Sequence, residues 1–384
     1  MLNGPFSPWP CFSEEEANAV RDVLLSNKVN YWTGQECREF EREFAQFAAS
    51  EYAIALANGT VALDLALKAL DIGEGDEVVV TPRTFLASAS SIVTAGAVPV
   101  FADVDADSQN ITPESVSKVI TPRTRAIVCV HLAGWPCDMN GFMALAQEFG
   151  LYVIEDCAQA HGARYKGRSV GSIGHVGCWS FCQDKIMTTG GEGGMVTTND
   201  RELWSRMWSF KDHGKSWEAV NEREHPPGFR WLHESFGTNW RMTEMQAAIG
   251  RIQLRRMPQW HEIRLQYATQ IWETARTLPG LRVPEVPVDI EHGAYKCYVF
   301  VESGNRDAIM DAIVEKGVPC FSGSCSEVYL EKAFDGTGWR PELPLPVAHE
   351  LGQTSLMFLV HPTLTRSEIN KTCRVLREVV KDSQ

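Results

Sequence analysis

GCWSFCQDKIMTTGGEGGMVTTND, Gly177 to Asp200, decides how this chain is read. An apolar, aromatic-rich run ends at a single basic side chain, Lys185. Thr188 and Thr189 follow, then glycines at 190, 191, 193 and 194 around Glu192. A lysine desolvated beside a strand has a lowered pKa and can form a Schiff base with a carbonyl. The glycines would let backbone approach a ligand closely. Taken alone, a lysine at a strand end is more often a solvated side chain, so the rest of the chain decides.

Upstream, short apolar runs alternate with helical patterns. Tyr52–Ala57, Glu77–Thr81, Val98–Ala102, Ala126–Val130 and Tyr152–Glu155 read as strands. Thr60–Leu70, Phe85–Ala95, Pro113–Ile120 and Asn140–Phe149 read as helices between them. This alternation predicts an α/β fold with a mostly parallel central sheet flanked by helices. Cys178–Cys182 and Met195–Thr198 are further strands with no helix between them, so one of them is expected to run antiparallel. Ser13 and Glu16 form a capping box for a first helix, Ser13–Leu25, and a second helix covers Glu36–Ala49. Ser216–Phe236, with Pro226, Pro227 and mixed charges, reads as a long loop. Thr243–Arg255 and His261–Thr277 are helical. The prolines of Pro279–Val288 mark a boundary. The expectation is therefore a large domain, 1–278, and a small α+β domain, 279–384. The small domain should hold a strand near Cys297–Val301, a helix Arg306–Lys316, a loop-rich stretch to about Gly352, a strand near Leu356–Val360 and a helix Arg366–Lys381.

The 384 residues are 44% hydrophobic and 22% charged, which suits a globular chain of two or three core units. A net charge of -13 argues against nucleic-acid binding, which needs a basic face. The eleven cysteines are scattered and odd in number. With no signal-type run in Met1–Glu16, they read as reduced thiols of a cytoplasmic protein. Cys178 and Cys182 lack a second pair at zinc-site spacing, and core packing suits them better. No apolar run is long enough to span a membrane.

Three further features bear on Lys185. Asn58-Gly59-Thr60 follows a strand and opens a helix, where free N–H groups and the helix dipole favour a phosphate. It lacks the lysine of a P-loop. Asp156 follows the strand Tyr152–Glu155 at its carboxyl end, where open α/β sheets bind ligands, and Gln159 and His161 come within a turn. Phe85 follows another strand end and could cover an aromatic ring. Each has a bland alternative: a capped helix start, an N-cap aspartate, a core phenylalanine. Together they are the parts of a pyridoxal 5'-phosphate site: lysine for the aldehyde, acid for the ring nitrogen, helix start for the phosphate, aromatic for the ring face.

The motifs also resemble a known family, the DegT/DnrJ/EryC1/StrS sugar aminotransferases, a branch of the fold-type I pyridoxal phosphate enzymes. The resemblance runs from NYWTG to HPTLT (His361–Thr365). It is carried by ANGTVAL (Ala57–Leu63), TPRTFLAS (Thr81–Ser88), VFADVD (Val100–Asp105), VHLAGWPCDM (Val130–Met139), IEDCAQAHGARYKGR (Ile154–Arg168), WSFCQDK, KDHGK (Lys211–Lys215) and GTNWRMTEMQAA (Gly237–Ala248). It implies Lys185 as the Schiff-base lysine, Asp156 on the pyridine nitrogen and Gln159 near the ring hydroxyl. It implies Gly59, Thr60 and Ser180 at the phosphate and Phe85 stacked on the ring. Asn239 is implied to reach the phosphate from a neighbouring subunit, hence a homodimer with shared sites. Two departures stand out. Asn58 replaces a common serine. FSGSCSEVY (Phe321–Tyr329) stands where many members carry a His-Tyr pair, so substrate identity does not transfer.

The resemblance also implies glutamate as amino donor and a nucleotide-linked keto-deoxy sugar as acceptor, in surface polysaccharide synthesis. C4 of a 4-keto-6-deoxyhexose is the favoured position and C3 the runner-up. Arg83, Lys211, Lys215, Arg230 and Arg241 are candidates for the nucleotide phosphates, with His213 and Trp32 weaker. A sugar dehydratase of the same fold is an alternative, but that relative has histidine where this chain has Lys185. A non-catalytic sugar-nucleotide sensor is another, yet every cofactor position holds a competent residue type.

Overall fold

The computed structural model describes residues 6–382; residues 1–5, the start of the Met1–Glu16 stretch, lie outside it. Two helices come first, α1 (Glu14–Ser26) and α2 (Glu36–Phe47). The Glu16 carboxylate accepts the Ser13 N–H at 2.7 Å and its hydroxyl at 2.8 Å, as the capping pattern predicts. The alternating part follows: β1 (Tyr52–Leu56), α3 (Gly59–Ala69), β2 (Glu77–Val80), α4 (Ala87–Thr94), β3 (Val98–Phe101), α5 (Pro113–Ser117), β4 (Thr124–Val130), α6 (Met139–Phe149) and β5 (Tyr152–Asp156). Two short strands, β6 (Arg164–Tyr165) and β7 (Arg168–Ser169), precede β8 (Val176–Ser180) and β9 (Gly194–Thr198).

Seven strands form one sheet in the order β1-β9-β8-β5-β4-β2-β3. Only β9 runs against its neighbours, antiparallel to both β1 and β8. The chain passes from β8 to β9 through a loop rather than a helix, as the sequence indicates. Alternate residues serve two cores. Val78, Val80, Val128 and Ile154 face one layer of helices. Val79, Ile127, Cys129 and Val153 face the other. Burial on both faces is why these strands read as unbroken apolar runs.

Next come α7 (Arg201–Lys211), α8 (Trp217–Asn221) and α9 (Glu244–Arg276). The segment 216–236, expected as loop throughout, contains α8. The Ser216 hydroxyl accepts from Ala219 N, and Trp217 packs edge-on against Trp204 and Trp208, each at 5.0 Å. The two helical patterns after residue 243 form one 33-residue helix that runs through Pro258. A proline inside a helix costs about 3 kcal/mol. Burial on both sides of it, from Leu254 and Met257 to Tyr267 and Ile271, offsets that cost.

The remaining elements are β10 (Leu281–Arg282), β11 (Ile290–Glu291), β12 (Cys297–Val301), α10 (Arg306–Glu315), β13 (Cys320–Phe321), α11 (Pro346–Thr354), β14 (Ser355–Phe358) and α12 (Arg366–Asp382). A second, antiparallel sheet has the order β10-β12-β14-β13. The first half of α9 packs with Phe40, Phe44 and Phe181, while its second half packs with this smaller sheet. We propose the division at 278–279 as one of strands and loops, with α9 shared by both cores. The loop-rich stretch before Gly352 ends in α11, whose Val347 and Ala348 N–H groups donate to the Asp103 carboxylate, each at 3.0 Å. The acid at this helix start comes from 244 residues away.

Candidate active site

The carboxyl ends of β1, β2, β5 and β8 converge on one cavity of about 690 Å³. Asn58, Gly59, Thr60, Phe85, Asp156, Gln159, Ser180 and Lys185 all line it. Seven of the eight site residues expected from the sequence thus meet there, with Asn58 beside them.

The anion end is built by close approach. Asn58 caps α3, its side-chain oxygen accepting Val61 N–H at 3.0 Å, so asparagine does the local work of the more usual serine. A Cβ on Gly59 would lie 2.5 Å from Ser180 Cβ. A Cβ on Gly194 would lie 2.2 Å from the Asn58 carbonyl oxygen. Only glycine at both points lets the start of α3 meet β8 and β9. The dipole end of α3, the Thr60 hydroxyl and Ser180 then share one corner of the cavity.

Asp156 is 6% exposed. One carboxylate oxygen accepts the Ser88 hydroxyl at 2.8 Å and the other accepts Ala158 N–H at 3.1 Å. The Thr84 hydroxyl lies 2.8 Å from that of Ser88. Gln159 accepts Ala133 N–H at 2.8 Å through Oε1, which turns its amide nitrogen into a free donor at the cavity wall. Phe85 lines the same space and is 69% exposed, unusual for so large an apolar ring.

Next to Asp156 in sequence, Glu155 points away and does structural work. It is fully buried and accepts N–H groups of Gly171, Ile173 and Gly174 at 2.9, 2.8 and 2.6 Å. His131 Nε2 lies 3.0 Å from it. Cys137 N–H donates to His131 Nδ1 at 3.0 Å, so that nitrogen carries the lone pair and the imidazole is neutral. Burial alone would raise the Glu155 carboxyl. The His131 bond and the loop N–H groups outweigh it and hold it below the usual range.

Lys185 reaches the cavity with its side chain 15% exposed. Its carbonyl accepts Trp9 Nε1–H at 2.8 Å. Its ammonium lies 3.8 Å from Asp184 and 5.5 Å from the centre of the Tyr295 ring. Burial raises the Asp184 carboxyl, but the Lys185 charge and the Tyr295 hydroxyl bring it below the usual range. Ser88, Asp184 and Tyr295 were not singled out from the sequence. Of these, Ser88 had a signal, one helical turn after Thr84.

The other candidates do not line this cavity. Arg83 is fully buried and donates to Gln109, Ser326 and Ser355 at 2.8, 2.8 and 2.7 Å. Lys211 is fully buried, 3.5 Å from Glu41 and 3.7 Å from the Tyr31 ring centre. Neither is available to a substrate phosphate within this chain. Lys215 and Arg241 both pair with Asp212, and Lys215 lies over Trp32. Asn239, Arg230 and His213 are exposed outside the cavity.

The cavity can hold a planar aromatic group carrying an anion and a carbonyl. The residues fit pyridoxal phosphate: an anion corner at Gly59-Thr60, an acceptor at Asp156, a donor at Gln159, an uncovered ring at Phe85 and an amine at Lys185.

The family model described as the DegT/DnrJ/EryC1/StrS aminotransferase family matches residues 10–377. The chain is 36% identical over 367 residues to UDP-N-acetyl-3-dehydro-alpha-D-glucosamine 3-aminotransferase of Acidithiobacillus ferrooxidans, covering 94% of this chain and 95% of that one. It is 36% identical over 372 residues to GDP-perosamine synthase of Caulobacter vibrioides, covering 94% and 95%. An aminotransferase structure from Psychrobacter cryohalolentis superposes with a TM-score of 0.97 at 64% identity, covering 99% of this chain and 100% of that one. The chain belongs to the DegT/DnrJ/EryC1/StrS family: it is a pyridoxal-phosphate-dependent sugar aminotransferase of fold-type I.

Proposed function

We propose that the chain moves the amino group of glutamate to C4 of a nucleotide-linked 4-keto-6-deoxyhexose. The setting we propose is surface polysaccharide synthesis in the cytoplasm. The observation that carries the aminotransferase reading is that Lys185, the single lysine lining the cavity among the described residues, shares it with Asp156 and the Gly59-Thr60 helix start.

Pyridoxal phosphate, when bound, supplies the carbonyl that takes the amino group and a ring that takes up an electron pair. Gly59, Thr60 and Ser180 would hold its phosphate, and Phe85 would cover its ring. Asp156, fixed by Ser88, would accept from the ring N–H, and the Gln159 amide would donate to the ring oxygen. Lys185 would hold the carbonyl carbon. Its amine is the base that would take the proton from the donor α-carbon and later give one to the sugar carbon. Asn239 serves the neighbouring subunit of a homodimer, which accords with its exposure outside its own cavity.

The C4 assignment draws support from the GDP-perosamine synthase relative. A C3 reading is supported by the 3-aminotransferase relative at the same identity. Phe321–Tyr329 borders the cavity loop: Val328 N–H donates to the Pro82 carbonyl at 2.8 Å, two residues before Thr84. Sugar choice is therefore expected to be read in part by this segment.

Lys185→Ala tests the reading. The visible absorption of the bound cofactor and glutamate-dependent amination of a nucleotide keto sugar should both vanish. Survival of both would show the mechanism to be wrong. NMR of the product from wild type then gives the carbon aminated.

A further inference from the structure

Behind Lys185 lies a second group of cations that the reading above leaves unused. Lys296 follows Tyr295, and its ammonium lies 4.7 Å from the centre of the same ring that Lys185 approaches at 5.5 Å. Lys296 is half-buried and has no ion-pair or hydrogen-bond partner among the described residues. Arg264 is 1% exposed. Among the described residues its Nε and Nη2 have no hydrogen-bond partner, and Nη1 donates to the Tyr295 carbonyl at 3.4 Å. Its guanidinium lies 5.0 Å from the centre of the Trp9 ring, whose indole N–H holds the Lys185 carbonyl.

Three cations thus surround Tyr295, and the carboxylate facing them is Asp184, already committed to Lys185 and the Tyr295 hydroxyl. The nearby His361, stacked on Trp9, is pushed down to about 3 by burial and then by Arg264 and Lys296, so it is neutral. Burial of cations without anions is costly and is relieved by an anionic ligand. We propose that Lys296, backed by Arg264, forms the subsite for the α-carboxylate of the amino donor. The inference rests on the aminotransferase reading.

Chain chemistry favours a carboxylate over the nucleotide's phosphates. The α-carboxylate is bonded to the carbon whose proton Lys185 takes, so its subsite must adjoin Lys185. The diphosphate is separated from the keto carbon by the hexose ring. Lys296 approaches the Tyr295 ring that Lys185 also approaches; it stands outside the cavity lining, beside Lys185, and so is placed for the first requirement rather than the second. Arg264, with almost no exposed surface, acts through its field rather than by contact.

The test uses holoenzyme and two unreactive probes, glutarate and UDP, with binding read by calorimetry. Lys296→Gln should weaken glutarate binding and raise the KM for glutamate at least 10-fold, leaving UDP binding and the visible cofactor band unchanged. Lys296→Arg should recover much of the glutarate affinity. Unchanged glutarate binding in Lys296→Gln overturns the proposal. So does a loss of UDP binding in its place, which would assign the subsite to the phosphates. Calorimetry does not depend on turnover. A wild-type enzyme that binds cofactor and glutarate yet transfers no amino group would sink the functional reading and leave the subsite standing.

Discussion

The Ser88 hydroxyl donates to the Asp156 carboxylate at 2.8 Å, while Thr84 lies 2.8 Å from the same hydroxyl. One turn of helix start after β2 thereby fixes the acid at the end of β5. A hydrogen bond to a charged group contributes about 1.5–3 kcal/mol. Ser88→Ala is expected to weaken pyridoxal phosphate binding by about 10- to 100-fold and to shift its visible band. Ser88→Thr keeps the hydroxyl and should retain most of the affinity. A normal cofactor dissociation constant and spectrum in Ser88→Ala would show that Asp156 needs no positioning.

Gly59 is expected to tolerate no side chain, because a Cβ there meets Ser180 at 2.5 Å. Gly59→Ala should push α3 from β8 and lower cofactor affinity more than 100-fold while the purified protein keeps its far-UV circular dichroism. Asn58→Ser should be nearly neutral, since serine caps a helix as well. Asn58→Ala should cost about 1 kcal/mol, read by urea unfolding.

His161 is fully buried against Trp179 and Phe181. Burial first, and then the Lys185 and Arg264 charges, push it down to about 3. The unfolded chain therefore holds a proton that the native state lacks between pH 6.5 and about 3. Stability falls as pH drops through this window, by about 1.4 kcal/mol per pH unit from this group. His161→Phe keeps the ring contacts and should flatten that part of the acid limb. Unfolding midpoints measured at several pH values from 7 to 4 decide it, and parallel curves for variant and wild type would refute it.

Arg83, attractive in sequence as a phosphate ligand, joins the end of β2 to Ser326 and Ser355 of the smaller sheet region. Its acceptors are neutral oxygens, so Arg83→Met is expected to cost about 1–3 kcal/mol of stability. The KM for the nucleotide sugar should stay within about twofold at a temperature where the variant is folded. A selective rise in that KM with unchanged stability would return Arg83 to the substrate.

The sequence alone was enough for the alternation of strands and helices and for an antiparallel step between β8 and β9. It also marked Lys185, Asp156, Gly59 and Thr60 as one set. These follow local rules: strand ends, helix starts and apolar periods are written in neighbouring residues. By its local sequence Lys185 is a lysine at a strand end; its neighbours in the cavity are what distinguish it. Tertiary structure decided which cations are free. Arg83 and Lys211 are consumed by residues far away in sequence, while Lys296 has no ion-pair or hydrogen-bond partner among the described residues. It also decided that α9 continues through Pro258, that Asp103 caps α11 and that Trp217 starts a helix within an apparent loop. Burial and pairing depend on groups brought together from distant parts of the chain, and no local pattern encodes them.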